Sequence, residues 1–252
     1  IKPAKIRGLD SVGMLCAEDE LGLGDGHAGI LELAASFVVG ASYSKAAGIA
    51  DVVFEINVTP NRPDATGHLG LARELALRLG RPLRNPLEAG ISPVGAGPLA
   101  VPVSVEPDSG CTRYVGRAIE GVANGPSPAW MQALLRAVGL RPISALVDIT
   151  NFVMFDIGRP SHAFDADKVK GKLTVRRARK GETVVTLDNK RVELNKGELV
   201  MADDEGPVGL AGIKGGKHTE VDEKTTNIIL EAANWSPSYI RLTAMATGIK
   251  TE

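Results

Sequence analysis

Aromatic side chains are scarce in this chain: two Trp, three Tyr and five Phe, or 4% of 252 residues. A core built from it must be filled by Val, Ile, Leu and Ala. Cysteine is scarcer still. Cys16 and Cys111 stand apart, with no CxxC and no His beside them, so the sequence writes neither a disulfide framework nor a thiolate metal site. Both are expected to be buried free thiols, which suits a reducing compartment. A charge of one sign is missing too. The 29 Lys and Arg balance 30 Asp and Glu to a net −1, which excludes the strongly basic surface of a generic polyanion binder but leaves room for a local basic face. No apolar run approaches the roughly 20 residues of a membrane span. Residues 1–7, IKPAKIR, have no apolar stretch after their charges, unlike a secretory signal. The expectation is a soluble, cytoplasmic protein with no membrane contact.

Catalytic signatures are equally thin. His27, His68, His162 and His218 are dispersed, with no HExxH and no carboxylates at ligand spacing, so no metal site is expected. There is no GxSxG elbow. Neither the P-loop pattern nor the dinucleotide fingerprint occurs.

What is present is a globular composition, 44% hydrophobic and 23% charged, with length enough for two domains. Ile1 is not an initiator Met, and no closing element follows Thr251 and Glu252, so the chain reads as an internal piece. Residues 11–16 and 51–58 read as strands, the second from near-alternation of β-branched residues. Residues 59–64, TPNRPD, form a turn. The spacing of Leu71, Leu75 and Leu79 predicts a helix over 69–79 that ends at Gly80. Residues 85–102 carry four prolines and three glycines and hold the best linker, placed at 91–100. Beyond it come strands at 101–106 and 112–119, and a helix over 129–138 with Pro128 at its opening. An apolar segment at 146–155 reads as strand-like. Further strands are expected at 173–176, 184–187, 192–194, 199–202 and 228–231, and a last helix over 237–246. Strands outnumber helices and neighbour one another, which argues for an α+β fold with mixed or antiparallel sheets and packed helices.

Four groups can carry chemistry. Thr150 and Asn151, followed by Pro160, Ser161 and His162, can gather hydroxyl, amide and imidazole groups at a sheet end; alone, His162 reads first as a hydrogen-bonded structural histidine and only second as a catalytic one. The run VGLAGIKGG at 208–216 offers backbone N–H donors and close approach, or simply a tight chain reversal. Glu231 follows an apolar strand segment, in a pocket or in solvent. The basic run RRARK at 176–180 touches phosphate or forms a solvated face.

Several strings taken together go further. IRGLDSVGMLC at 6–16, DVVFEINVTPNRPDATGHLG at 51–70, GPSPAWM at 125–131, GLRPI at 139–143, VDITNFVM at 147–154, PSHAFD at 160–165, LAGI at 210–213 and LEAA at 230–233 occur in the order found in the phenylalanyl-tRNA synthetase beta-subunit family. The chain resembles an internal piece of such a subunit, of the bacterial type, centred on its editing domain. The resemblance implies the end of an oligonucleotide-binding-like, tRNA-binding domain at 1–47 and a small α+β segment at 48–90. It places the linker at 91–100 and an editing domain, cut short, at 101–252. It implies an aminoacyl-tRNA ligase acting in protein biosynthesis, with tRNA(Phe) and an alpha subunit as partners in an alpha-two, beta-two assembly. ATP and magnesium serve the full enzyme and not this piece. The editing domain hydrolyses tyrosine wrongly joined to tRNA(Phe). Carried over by position, His162 and Glu231 are the catalytic pair, Glu231 sensing the tyrosine hydroxyl. Thr150, Asn151, Ala211, Gly212, Gly215 and Thr251 line the editing pocket. The family usually has Met where this chain has Lys214. The alternative is a non-catalytic module of the same fold, kept for tRNA or subunit contacts.

Overall fold

The computed structural model describes residues 3–24, 26–49, 51–85, 90 and 101–249. The linker expected at 91–100 and the site position Thr251 lie outside them. By contacts the chain divides into two units, residues 1–52 and 53–252.

The first unit is lightly built. Strands β1 (Ala4–Ile6) and β2 (Leu9–Ser11) form a hairpin whose two turn residues, Arg7 and Gly8, both have positive φ, the geometry a two-residue hairpin turn demands. The strand expected over 11–16 goes no further than Ser11. A 3-10 turn at Asp19–Leu21 and the one-turn helix α1 (Tyr43–Ala46) complete the unit. Cys16 is half-buried, its thiol directed at the carbonyl of Met14.

The second unit carries two packed sheets. One holds three strands in the order β4 (Cys111–Glu120), β12 (Asn227–Trp235), β5 (His162–Asp165), all antiparallel. The other holds five, β11 (Lys214–Gly215), β10 (Pro207–Leu210), β9 (Leu199–Ala202), β6 (Leu173–Arg177) and β3 (Val103–Val105), antiparallel apart from the β6–β3 pair. Strands β7 (Thr183–Val185) and β8 (Arg191–Glu193) make a separate ribbon, turned by Asn189 at φ 60°.

Side-chain alternation decides what lies on each face. In β9, Met201 points into a core shared with Leu173, Val175, Phe164 and Ile229, so this core lies between the two sheets. Its neighbours Val200 and Ala202 point the other way, into a core with Val184, Val192 and Leu194, against which Ile240 and Ala244 of α5 (Pro237–Thr247) pack. A bulge between Pro207 and Gly209 shifts the register of β10, so Val208 fills the inter-sheet core and Leu210 the outer one. On the outer face of the three-stranded sheet, Ala163 and Ile228 meet Leu146 of α4 (Ala145–Ile157). Helices α3 (Ala129–Ala137) and α2 (His68–Leu79) pack in turn on α4.

Further sequence expectations need correction, besides the short strand at Ser11 and the half-buried Cys16. Residues 146–155 are not a strand but the body of α4. The segment is apolar and rich in β-branched residues, yet its 13 residues and the left-handed Gly158 at its end are helical signals, and packing on α2, α3 and β5 overrides propensity. Residues 51–58 form no strand; residues 51–57 are exposed and Val58 is half-buried, and no partner strand pairs with them among the described residues. Helix α2 and its Gly80 cap are as expected, but Leu75, Leu77 and Leu79 are exposed and the buried positions are Leu69 and Gly70. At Gly70 a Cβ would meet the backbone oxygen of Asp64, so only glycine allows that approach. Cys111, expected buried, is half-buried, and that burial pushes its thiol pKa up.

Ile229 is 1% exposed at the centre of β12, and Leu77 is 83% exposed. Ile229→Ala is expected to lower unfolding stability by about 2–5 kcal/mol, and Leu77→Ala by no more than about 0.5 kcal/mol, both measured by urea titration.

Candidate functional site

The candidate site follows from the pairing of β12. Its residues 229, 231, 233 and 235 point into the layer between the sheets. Three of them, Ile229, Ala233 and Trp235, are the apolar kind such a layer calls for. Glu231 is not: it is 8% exposed and carries a carboxyl group into the interior. Directly opposite it on β5 is His162, and on the other side Gly116 of β4. Residues facing each other across antiparallel strands project to the same face, so the carboxyl and the imidazole share one wall.

That wall bounds a cavity of about 360 Å³. The β10–β11 hairpin, from Gly209 to Gly215, also lines it, as do Met201 of β9 and Met154 of α4. The glycines are required by close approach. A Cβ on Gly215 would lie 2.4 Å from Cε1 of His162, so any side chain there collides with the imidazole. Gly212 has φ 69°, and a Cβ there would strike Ile240 and Trp235. The glycine-rich run is therefore both a tight reversal and a cavity wall.

The electrostatics follow from burial. Among the described residues, the hydrogen bond shown for the Glu231 carboxyl comes from the Tyr114 hydroxyl, which donates to Oε2 over 3.3 Å. Burial pushes the Glu231 pKa up to about 7, with Tyr114 partly opposing it. Tyr114 is itself pushed far above the usual phenol range by burial and by the nearby carboxylate. Burial pushes His162 down to about 4, so its ring is neutral at pH 7. Its Nε2 is buried without a hydrogen-bond partner, and the ring stands edge-on to Phe164, with centroids 4.5 Å apart. A neutral imidazole and a carboxyl poised near neutrality can orient a polar ligand and pass a proton.

Of the residues singled out in the sequence, His162, Ala211, Gly212, Gly215 and Glu231 line this one cavity. Thr150 and Asn151 do not. They sit on α4 one turn before Met154, and the Thr150 hydroxyl donates to its own helix at Val147, 2.8 Å away. They were placed at a strand end, and the helix moves them. Sequence reasoning missed Tyr114 altogether; its alternation within β4 was the available signal, but nothing marked its partner.

Lys214 lines the cavity and is held 3.2 Å from Asp188, so it brings a paired charge. The hydroxyl of Thr186, with Lys190 and Lys214, holds the Asp188 carboxyl well below the usual range. The basic run at 176–180 is largely structural. Arg176 is 6% exposed and forms a two-pronged ion pair with Glu182. Arg177 lies over the Tyr239 ring, 4.3 Å from its centroid. No group of three or more His, Cys, Asp or Glu among the described residues could hold a metal ion. No helix among them is long and apolar enough to cross a membrane.

Stability against pH reports these shifts. The raised Glu231 contributes stability fully present below about 4.5 and lost as pH rises through about 7. The depressed His162 contributes stability present above about 6.5 and lost as pH falls through about 4. In urea titrations across pH, Glu231→Gln is expected to abolish a loss of about 3 kcal/mol that develops as pH rises from about 4.5 through about 7, and His162→Asn to flatten the acid side. Matching pH profiles in parent and variants would contradict both assignments.

The comparisons with known proteins agree on kinship. The B3/4 domain family matches residues 110–252, which contain every cavity residue described. A phenylalanine–tRNA ligase beta subunit of Brucella abortus is 49% identical over 251 residues, covering 98% of this chain and 31% of the relative. That of Nitrobacter winogradskyi is 50% identical over 249 residues, 98% of this chain and 30% of the relative. That of Fusobacterium nucleatum is 43% identical over 252 residues, 100% and 32%. The chain thus spans about a third of the length of the curated relatives it matches. The chain belongs to the B3/4 domain family and, along almost all its length, is similar to the beta subunits of phenylalanine–tRNA ligases.

Proposed function

We propose that the cavity between His162 and Glu231 is an esterase site that removes tyrosine wrongly joined to tRNA(Phe), in the service of a phenylalanine–tRNA ligase. The observation that carries this reading is the buried carboxyl of Glu231 on the wall of a small, mostly apolar cavity. At about 360 Å³ the space lies near the lower end of ligand pockets, which run from about 300 to 1,000 Å³. That suits an aminoacyl group better than a whole nucleotide.

Selectivity follows from Glu231. A synthetic site for phenylalanine cannot strongly reject an analogue that merely adds a hydroxyl, where discrimination is about a hundredfold. A second site that bonds to the hydroxyl sorts the pair in the other direction. Bound tyrosine satisfies the Glu231 carboxyl, and phenylalanine leaves it buried without that bond. The difference is worth about 1–3 kcal/mol, or about 5- to 150-fold.

The reaction needs no protein nucleophile. A water oxygen adds to the ester carbonyl carbon, the bond to the terminal ribose oxygen breaks, and the proton passes to that oxygen. Free tyrosine and tRNA are the products. His162, neutral at pH 7, orients the ester or the water through its unpartnered ring nitrogen. The hairpin at Ala211, Gly212 and Gly215 brings backbone against the aminoacyl group. Joining phenylalanine to tRNA, with ATP and magnesium, is read as work of the full enzyme with its alpha subunit, and no residue here is assigned to it. Cytoplasmic residence and an alpha-two, beta-two assembly belong to the same proposal.

The test is deacylation of Tyr-tRNA(Phe) and Phe-tRNA(Phe) by the parent chain and two variants. The parent is expected to release tyrosine faster. Glu231→Ala should slow tyrosine release at least tenfold and leave the two substrates nearly equal. His162→Ala should slow both. Unchanged rates in both variants would remove the assignment.

A further inference from the structure

Glu231 has two carboxyl oxygens, and they are not equivalent. Tyr114 donates to Oε2, while Oε1 has no hydrogen bond from the described residues. The donor comes from β4, the strand on the side of β12 away from His162, and from the same face of the sheet. In the β4–β12 ladder Tyr114 faces Ala233 and Glu231 faces Gly116, so Tyr114 reaches Glu231 along the diagonal. Tyr114 does not line the cavity; it packs against the inter-sheet core behind it. Its ring packs against the inter-sheet core that includes Ile229, and the hydroxyl is delivered to one carboxyl oxygen.

Resting on the reading of this cavity as the tyrosine-removing site, we propose that Tyr114 is a positioning residue that fixes Glu231 for recognition of the substrate phenol. The protein's own phenol occupies Oε2 and leaves Oε1 for the phenol of the substrate. Two hydroxyls of the same chemistry share one carboxylate, one permanently and one only when tyrosine is bound. A buried carboxyl held this way has little freedom to turn away from an incoming hydroxyl, so less ordering is left to be done on binding. At 3.3 Å the bond is longer than the roughly 2.7–2.8 Å usual between oxygens. It restrains the carboxyl without saturating it.

The charged and titratable groups facing Glu231 are Tyr114 and Cys111 on β4, His162 on β5 and Lys214 on the β10–β11 hairpin. His162 is neutral across the working range and Lys214 is paired with Asp188. Removal of the Tyr114 hydroxyl therefore acts on Glu231 without a compensating charge. Because that hydroxyl favours the ionised carboxylate, its loss drives the Glu231 titration to higher pH.

Tyr114→Phe keeps the ring and deletes the hydroxyl. Two readouts are taken on the 252-residue chain: carbon NMR titration of the Glu231 side chain, and deacylation of Tyr-tRNA(Phe) and Phe-tRNA(Phe), with Glu231→Ala alongside. The expected result is an upward shift of the Glu231 midpoint and a loss of about tenfold in tyrosine release, with phenylalanine release unchanged. An unmoved midpoint, or equal losses on both substrates, would overturn the proposal and leave Tyr114 a core residue. If Tyr114→Phe matches the parent while Glu231→Ala is inactive, the positioning role fails and the editing site stands. If Glu231→Ala also matches the parent, the reading of the cavity itself fails, and this proposal with it.

Discussion

Strand β12 is hydrogen-bonded along both edges, to β4 and to β5, and the candidate site depends on that double pairing. The register places Glu231 opposite His162, and a slip of β12 by one residue would turn Glu231 to the outer face, away from His162. Nine residues of ladder to β4 and an apolar face that includes Ile229 hold the register. The same apolar layer that anchors the strand also strips water from the carboxyl. Stability and chemistry are thus set by one element.

The cost of that arrangement is visible in the two titrating groups. A carboxyl and an imidazole in an apolar layer are each driven toward their neutral forms, and here the shifts are in opposite directions, up to about 7 and down to about 4. Tyr114 offsets part of the penalty at Glu231. Nothing in the fold requires Glu231: Ala233 and Trp235, two and four residues on, show what the layer accepts. A buried polar group with one long hydrogen bond is the kind of local inconsistency that marks functional positions.

Much of the sheet architecture was legible in the sequence. Residues 173–176, 199–202 and 228–231 alternate or run apolar between turn signals, and each is a strand. The glycine run at 208–216 was legible as a reversal, though not as a wall against His162, because close approach is a property of the packed state. Helix α4 was not legible as read. Val147, Ile149, Thr150 and Val153 favour strand locally, and only length and Gly158 favoured helix. That single misreading displaced Thr150 and Asn151. The remaining site residues, His162, Ala211, Gly212, Gly215 and Glu231, were reached through family resemblance. Their meeting at one cavity could not be deduced from spacing, since Glu231 and His162 are 69 positions apart and joined only by strand register. Tyr114 escaped for the same reason.

The claim that Glu231 reads a phenol can be tested by sight. A crystal structure of the chain with a non-hydrolysable amide analogue of tyrosyl-adenosine would locate the ring directly. The account predicts the phenol oxygen within about 2.6–3.2 Å of Glu231 Oε1, with Tyr114 still on Oε2 and the amide carbonyl beside His162. An analogue bound with its ring away from Glu231, or outside the cavity between β12 and the β10–β11 hairpin, would contradict it.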